Sequence, residues 1–188
     1  MLLHGVNTLA QSTFQGPVRS LNGFISQGPG TVISLAAASL TVDPAVHGGR
    51  MIYVNYTAGA CTITLPTVDA SADSPYAGPG SDPSNTSNIG VVYTFFIAAT
   101  NTNGIKIRTT SSTPGDLFIG SALLSTSAGT PNLYLPNGSS NDVISMNGTT
   151  TGGIAGSYLT VQAVAANKYL VNGVLVGSGT LATPFADA

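Results

Sequence analysis

Charge is nearly missing from this sequence: 6% of its 188 residues are Asp, Lys or Arg, and Glu does not occur. An ordinary soluble domain carries about 25%. Glu, Lys and Arg are good helix formers and supply the solvated face of an amphipathic helix, so their scarcity argues against helices. Thr and Val suit pleated sheet, and Gly and Asn suit the turns between strands. The fold class that follows is all-β. A hydrophobic content of 43% separates the chain from disordered Gly/Ser/Pro-rich sequences, which are poor in such residues. A net charge of −2 leaves little repulsion between copies, which favours self-association.

The same scarcity removes several classes of partner. Five scattered basic residues cannot form the phosphate-tracking patch that nucleic-acid binding needs. The most apolar stretch, Val91 to Ala99, is far shorter than the ~20 residues that span a bilayer, so no membrane partner is expected. The opening Met-Leu-Leu-His-Gly-Val-Asn has no basic region and no sustained apolar run, and no secretory signal is expected. One cysteine, Cys61, excludes an intramolecular disulfide, in keeping with assembly in a reducing cytoplasm.

Residues 1–30 show no strand or helix period, and large apolar side chains there alternate with turn residues. Two readings stand: an extended arm whose Phe14, Val18, Leu21, Phe24 and Ile25 dock on a partner, or an irregular segment folded over its own sheet. Strand signals become regular over 31–188, which is read as one β-sandwich or jelly-roll-like domain. Thr31 to Val42 reads as one β run. Met51–Tyr56 and Cys61–Leu65 read as a hairpin around Thr57-Ala58-Gly59-Ala60, with Cys61, Ile63 and Leu65 on one face. Val91 to Ala98 is apolar on both faces except at Thr94, so it requires cover on both sides, the second from another layer or subunit. Ile105 to Arg108 alternates cleanly, with Lys106 and Arg108 outward. Further strands are expected over 116–124, 132–135, 142–146 and 157–165, with a closing hairpin of 168–171 and 174–176 turned by Asn172-Gly173. No helix longer than a turn is expected.

The groups that chemistry needs are sparse. His4 and His47 are the only histidines. His47 with Asp43 and a serine could be written as a triad, but no Gly-x-Ser-x-Gly elbow accompanies it. Cys61 reads as a small buried hydrophobe. The long Pro/Gly-rich loop 67–88 contains Asp69, Asp73 and Asp82, a poor platform for paired catalytic carboxylates. Calcium is the sharper possibility there, yet the loop lacks the EF-hand spacing and a bidentate Glu, so a solvated loop is the favoured reading. No zinc spacing occurs, and neither a metal nor a cofactor is expected. Tyr53, Tyr56, Tyr93, Tyr158 and Tyr169 fall in strands and are read as core; Tyr76, in the loop, is the one candidate contact tyrosine.

Three patches resemble the capsid decoration (cement) proteins of tailed bacteriophages: the arm Phe14 to Ile25, Gly49-Arg50-Met51-Ile52-Tyr53-Val54 with Thr62 to Pro66, and Gly156 to Leu159 through Lys168 to Gly173. They touch about a third of the chain, and phage fibre and tail proteins share such motifs. The resemblance implies a non-catalytic subunit, often trimeric, made in the host cytoplasm and seated on the outer capsid surface against the major capsid protein. It implies docking through Phe14, Val18, Leu21, Phe24 and Ile25. The alternative is a phage fibre or tail-tip protein binding a host glycan, with Tyr76 and its loop as the place of contact. Partner surfaces are expected where charge is absent, over Val91 to Ala98 and along the arm.

Overall fold

A computed structural model describes residues 31–70, 88–110 and 115–187. Strands make up 46% of the described residues and helix 4%, so the fold is all-β as the composition requires. The elements are β1 (Val32–Leu35), β2 (Ser39–Thr41), α1 (Pro44–His47), β3 (Met51–Val54), β4 (Cys61–Thr64), β5 (Val92–Ile97), β6 (Ile105–Arg108), β7 (Leu117–Ser125), β8 (Asn132–Tyr134), β9 (Val143–Met146), β10 (Tyr158–Ala165), β11 (Lys168–Val176) and β12 (Phe185–Ala186). Two sheets result, one of seven strands ordered β1-β3-β5-β10-β11-β7-β8 and one of five ordered β12-β9-β6-β4-β2.

The first six strands alternate between the sheets. β1, β3 and β5 lie parallel in the large sheet, and β2, β4 and β6 lie parallel in the small one. The chain therefore coils through three turns, each giving one strand to either sheet. Equivalent residues stack in register: Ile33, Ile52 and Phe95; Leu35, Val54 and Ile97; Leu40, Ile63 and Ile107. The coil is then closed by antiparallel strands, β10 and β11 beyond β5 and β9 and β12 beyond β6. The parallel half departs from the antiparallel wiring of a jelly roll.

Three sequence expectations are corrected by this winding. Thr31–Val42 is two strands in different sheets, because the chain bends at Ala36-Ala37-Ala38. Thr57-Ala58-Gly59-Ala60 is a corner between sheets and not a hairpin loop: β3 pairs with β1 and β5, and β4 with β2 and β6. Asn172-Gly173 lies inside the unbroken β11. The turn falls instead just before Lys168, where Asn167 adopts φ +59°, a conformation Asn tolerates better than most residues. Gly173 is needed for close approach: a Cβ there would lie 2.2 Å from the Tyr158 carbonyl oxygen on β10.

One core fills the space between the sheets. Ile52, Val54, Tyr93, Phe95, Phe118, Val161, Tyr169 and Val171 enter it from the large sheet, and Cys61, Ile63, Ile105, Ile107, Ile144 and Met146 from the small one. Strand alternation accounts for each of these positions. The corners are tied by Asn101, fully buried, whose Nδ2 donates to the carbonyls of Tyr56 (3.0 Å) and Gly59 (2.9 Å) on the preceding corner. Its Oδ1 accepts from the Asn103 amide at 2.8 Å.

Candidate interaction surface

Alternation that sends Phe95 inward sends Phe96 outward, and strand register extends this to the whole large sheet. Ser34, Tyr53, Phe96, Tyr158, Val174, Leu123 and Leu133 are successive cross-strand partners, one from each of the seven strands. They form a continuous row over the outer face, apolar from Tyr53 to Leu133. Exposure is 37% at Tyr53, 40% at Tyr158, 45% at Val174 and 58% at Leu133. The Tyr53 and Phe96 rings stack, centroids 5.8 Å apart at 26°.

A second row runs Val32, Met51, Thr94, Thr160, Asn172 and Ser121, and a third Val92, Gln162, Leu170 and Ile119. Two of their polar groups bond within the sheet or at its margin. Thr160 Oγ1 donates to the Asn172 carbonyl at 3.1 Å and Gln162 Nε2 to the Gly90 carbonyl at 3.2 Å. Across all seven strands the one charged residue is Lys168, at the start of β11, and its Nζ donates to the Gly138 carbonyl at 3.1 Å.

The small sheet presents the opposite character. Its outer face carries Ser39, Thr62, Lys106 and Ser145 in one row, with Thr41, Thr64 and Arg108 beside it. The expectation that Lys106 and Arg108 face outward is met. Charge is thus distributed by sheet, and the uncharged face is much larger than the Val91–Ala98 stretch that sequence singled out.

Phe14, Val18, Leu21, Phe24, Ile25 and Tyr76 lie outside the described residues, as do Asp73 and Asp82. Asp69 sits at the base of the 67–88 segment, where its N–H donates to Asn88 Oδ1 (2.9 Å) and its carbonyl accepts from the Asn88 amide (3.2 Å). Asn88 Nδ2 also donates to the Thr67 carbonyl at 2.8 Å, so one buried asparagine clasps both ends of that segment. Among the described residues, no three His, Cys, Asp or Glu side chains gather in metal-ligating reach.

His47 closes the one-turn α1 and is buried there. Its Nδ1 accepts from the Asp43 amide at 2.9 Å, while Asp43 Oδ1 accepts from the Ala45 amide at 2.9 Å. The two side chains of the hypothetical triad are thus spent on capping a turn. Cys61 is buried, its thiol 3.6 Å from the Ala37 carbonyl, and burial pushes its pKa up, away from a reactive thiolate.

The other perturbed groups are also interior. Asp116 is 2% exposed; its Oδ2 accepts from the Val68 amide at 2.7 Å, and Oδ1 has no hydrogen-bond partner among the described residues. Burial raises its pKa, and the Val68 bond opposes that rise. Burial, then the Asp43 charge, pushes Tyr93 up to about 12. Tyr169 is raised by burial, then by Tyr93 and Asp116, and its hydroxyl donates to the Pro66 carbonyl at 2.7 Å. Both tyrosines belong to the core, as expected. Tyr53 and Tyr158 do not: they stand on the outer face, a correction to the core assignment. Sequence alternation could have flagged both, since each is followed by a buried aliphatic residue; their alignment depends on register, which no local pattern shows.

An open depression of about 310 Å³ at one end of the three central strands of the small sheet is lined by Thr62, Asn103, Lys106, Ser145 and Asn147 among others. It offers one exposed charge and no converging set of acid, base or nucleophile. No helix of the described residues is long and apolar enough to cross a membrane. No family model matches the chain, and no curated protein and no solved structure matches it.

Proposed function

We propose that this protein is a non-catalytic virion subunit, a capsid decoration protein that binds the outer capsid lattice of a tailed bacteriophage and stabilises the expanded head. The observation that carries the reading is the outer face of the seven-stranded sheet, crossed by an unbroken apolar row from Tyr53 to Leu133 and holding a single charge at one strand end. Monomeric soluble proteins rarely expose contiguous apolar surface beyond a few hundred Å², and larger patches mark interaction sites. The resemblance in the arm and the two strand patches supplies the kind of assembly.

In this reading, residues 1–30 reach the major capsid protein and Phe14, Val18, Leu21, Phe24 and Ile25 anchor them. Many symmetric copies then turn modest contacts into avidity. Burying one such side chain contributes about 1.5–3 kcal/mol. The test is co-sedimentation of the full chain with expanded and unexpanded heads, beside a Phe14→Ala/Phe24→Ala variant. Wild type should bind expanded heads, and the double variant should bind about a hundredfold more weakly. Equal occupancy by the variant would remove the arm from the contact, and no binding by wild type would end the decoration reading.

A further inference from the structure

We propose that the outer face of the seven-stranded sheet pairs two copies of this chain across a two-fold axis. The inference rests on the same reading of that face as a packing surface and names its occupant, a second copy.

Extent is the first argument. Seven strands about 4.8 Å apart make the face about 29 Å wide, and three rows of outward side chains make it about 20 Å deep. The footprint is about 600 Å², close to what each partner contributes at the lower end of stable interfaces.

Charge is the second. A foreign partner is commonly selected by complementary charge, and repelled by like charge, at its contact surface. The rows here hold no Asp, Lys or Arg, and Lys168 lies at the strand end with its ammonium already bonded. Nothing on the face selects an oppositely charged partner, and nothing on it repels its own copy.

The third is the order of residues along the row. Tyr158 is the middle of its seven members, with Ser34, Tyr53 and Phe96 to one side and Val174, Leu123 and Leu133 to the other. Take a two-fold axis lying in the interface, along the strands and through Tyr158. It lays the aromatic half of one copy over the aliphatic half of the other. Tyr53 then meets Leu123 and Phe96 meets Val174, while Ser34 meets Leu133 and Tyr158 its own counterpart, across sheets packed about 10 Å apart. Such an isologous contact is closed, so it ends at two copies and does not propagate into a fibre. The count expected is therefore two, where the resemblance implies three.

The experiment uses the purified full chain without capsids, so its outcome is independent of capsid binding. Sedimentation equilibrium should show a monomer–dimer equilibrium for wild type. Phe96→Asp and, separately, Leu133→Asp on the exposed edge strand should each weaken it at least about tenfold, since both bury a carboxylate in the contact. Thr64→Asp on the opposite sheet should leave it unchanged. Leu133→Asp guards against a folding defect, because Leu133 is 58% exposed. In a Cys61→Ala background, Tyr158→Cys should give a cross-linked dimer with a bismaleimide whose reach matches the sheet spacing, and Thr64→Cys should not. A wild type that stays monomeric at high micromolar concentration overturns the proposal. So does a trimer, or a dimer indifferent to both Asp variants.

Discussion

Tyr53 stacks on Phe96 on the outside of the large sheet, ring centroids 5.8 Å apart, while Phe95, the residue just before Phe96, is fully buried on the other side. One peptide unit separates a core side chain from a surface one. Phe95→Ala should cost about 3–5 kcal/mol in urea unfolding, the range for deleting a buried aromatic. Phe96→Ala, measured dilute enough to keep the chain monomeric, should cost about 1 kcal/mol, mainly the lost ring pair. Equal costs would mean that the assigned inward and outward faces are wrong.

Asp116 gives a pH dependence whose sign follows from its burial. A carboxyl with its folded pKa above its unfolded value binds a proton more tightly when folded. Its stabilising contribution is complete below the unfolded value of about 4 and is lost as pH rises through the folded pKa. Asp116→Asn keeps an oxygen for the Val68 amide and removes the titration. Stability at neutral pH should rise, and the fall in stability above about pH 4 should flatten. A variant less stable than wild type at pH 7 would show that the buried charge is favourable.

Asn101 joins two corners of the coil through two hydrogen bonds and braces its own corner with a third. Asn101→Ala strands the Tyr56 and Gly59 carbonyls and should cost about 2–3 kcal/mol. Hydrogen exchange should locate the loss at the 55–60 and 98–104 corners first. A uniform loss across both sheets would argue against a local clamp.

Gly173 separates a mid-strand glycine from a turn glycine. Ala at this position would drive its Cβ into the Tyr158 carbonyl and to 2.8 Å from the Leu159 Cα, both backbone atoms that cannot move aside cheaply. Gly173→Ala should destabilise by more than about 2 kcal/mol, above the roughly 1 kcal/mol of a simple propensity change. A cost within that smaller figure would return Asn172-Gly173 to the turn that its sequence suggests.

Local alternation was legible from residues alone. Cys61-Thr62-Ile63-Thr64 and Ile105-Lys106-Ile107-Arg108 face as their patterns predict, because a period of two follows directly from strand geometry. Connectivity was not legible. Thr57-Ala58-Gly59-Ala60 specifies that the chain bends, and both a hairpin and a corner between sheets satisfy that requirement. Asn172-Gly173 signalled a positive-φ turn, while the structure uses the missing Cβ of Gly173 to bring β10 and β11 together. The candidate surface was half visible: the apolar run at Val91–Ala98 pointed to it. Tyr53, Tyr158, Val174 and Leu133 join that run only through register, which is set by long-range pairing.

The most direct test of a structural role is the number of copies in the mature particle. Quantitative mass spectrometry of purified particles, scaled to the major capsid protein, should find this chain in hundreds of copies at a fixed ratio to the capsid lattice. A handful of copies that fractionate with the tail, or none in the particle, would contradict the decoration role.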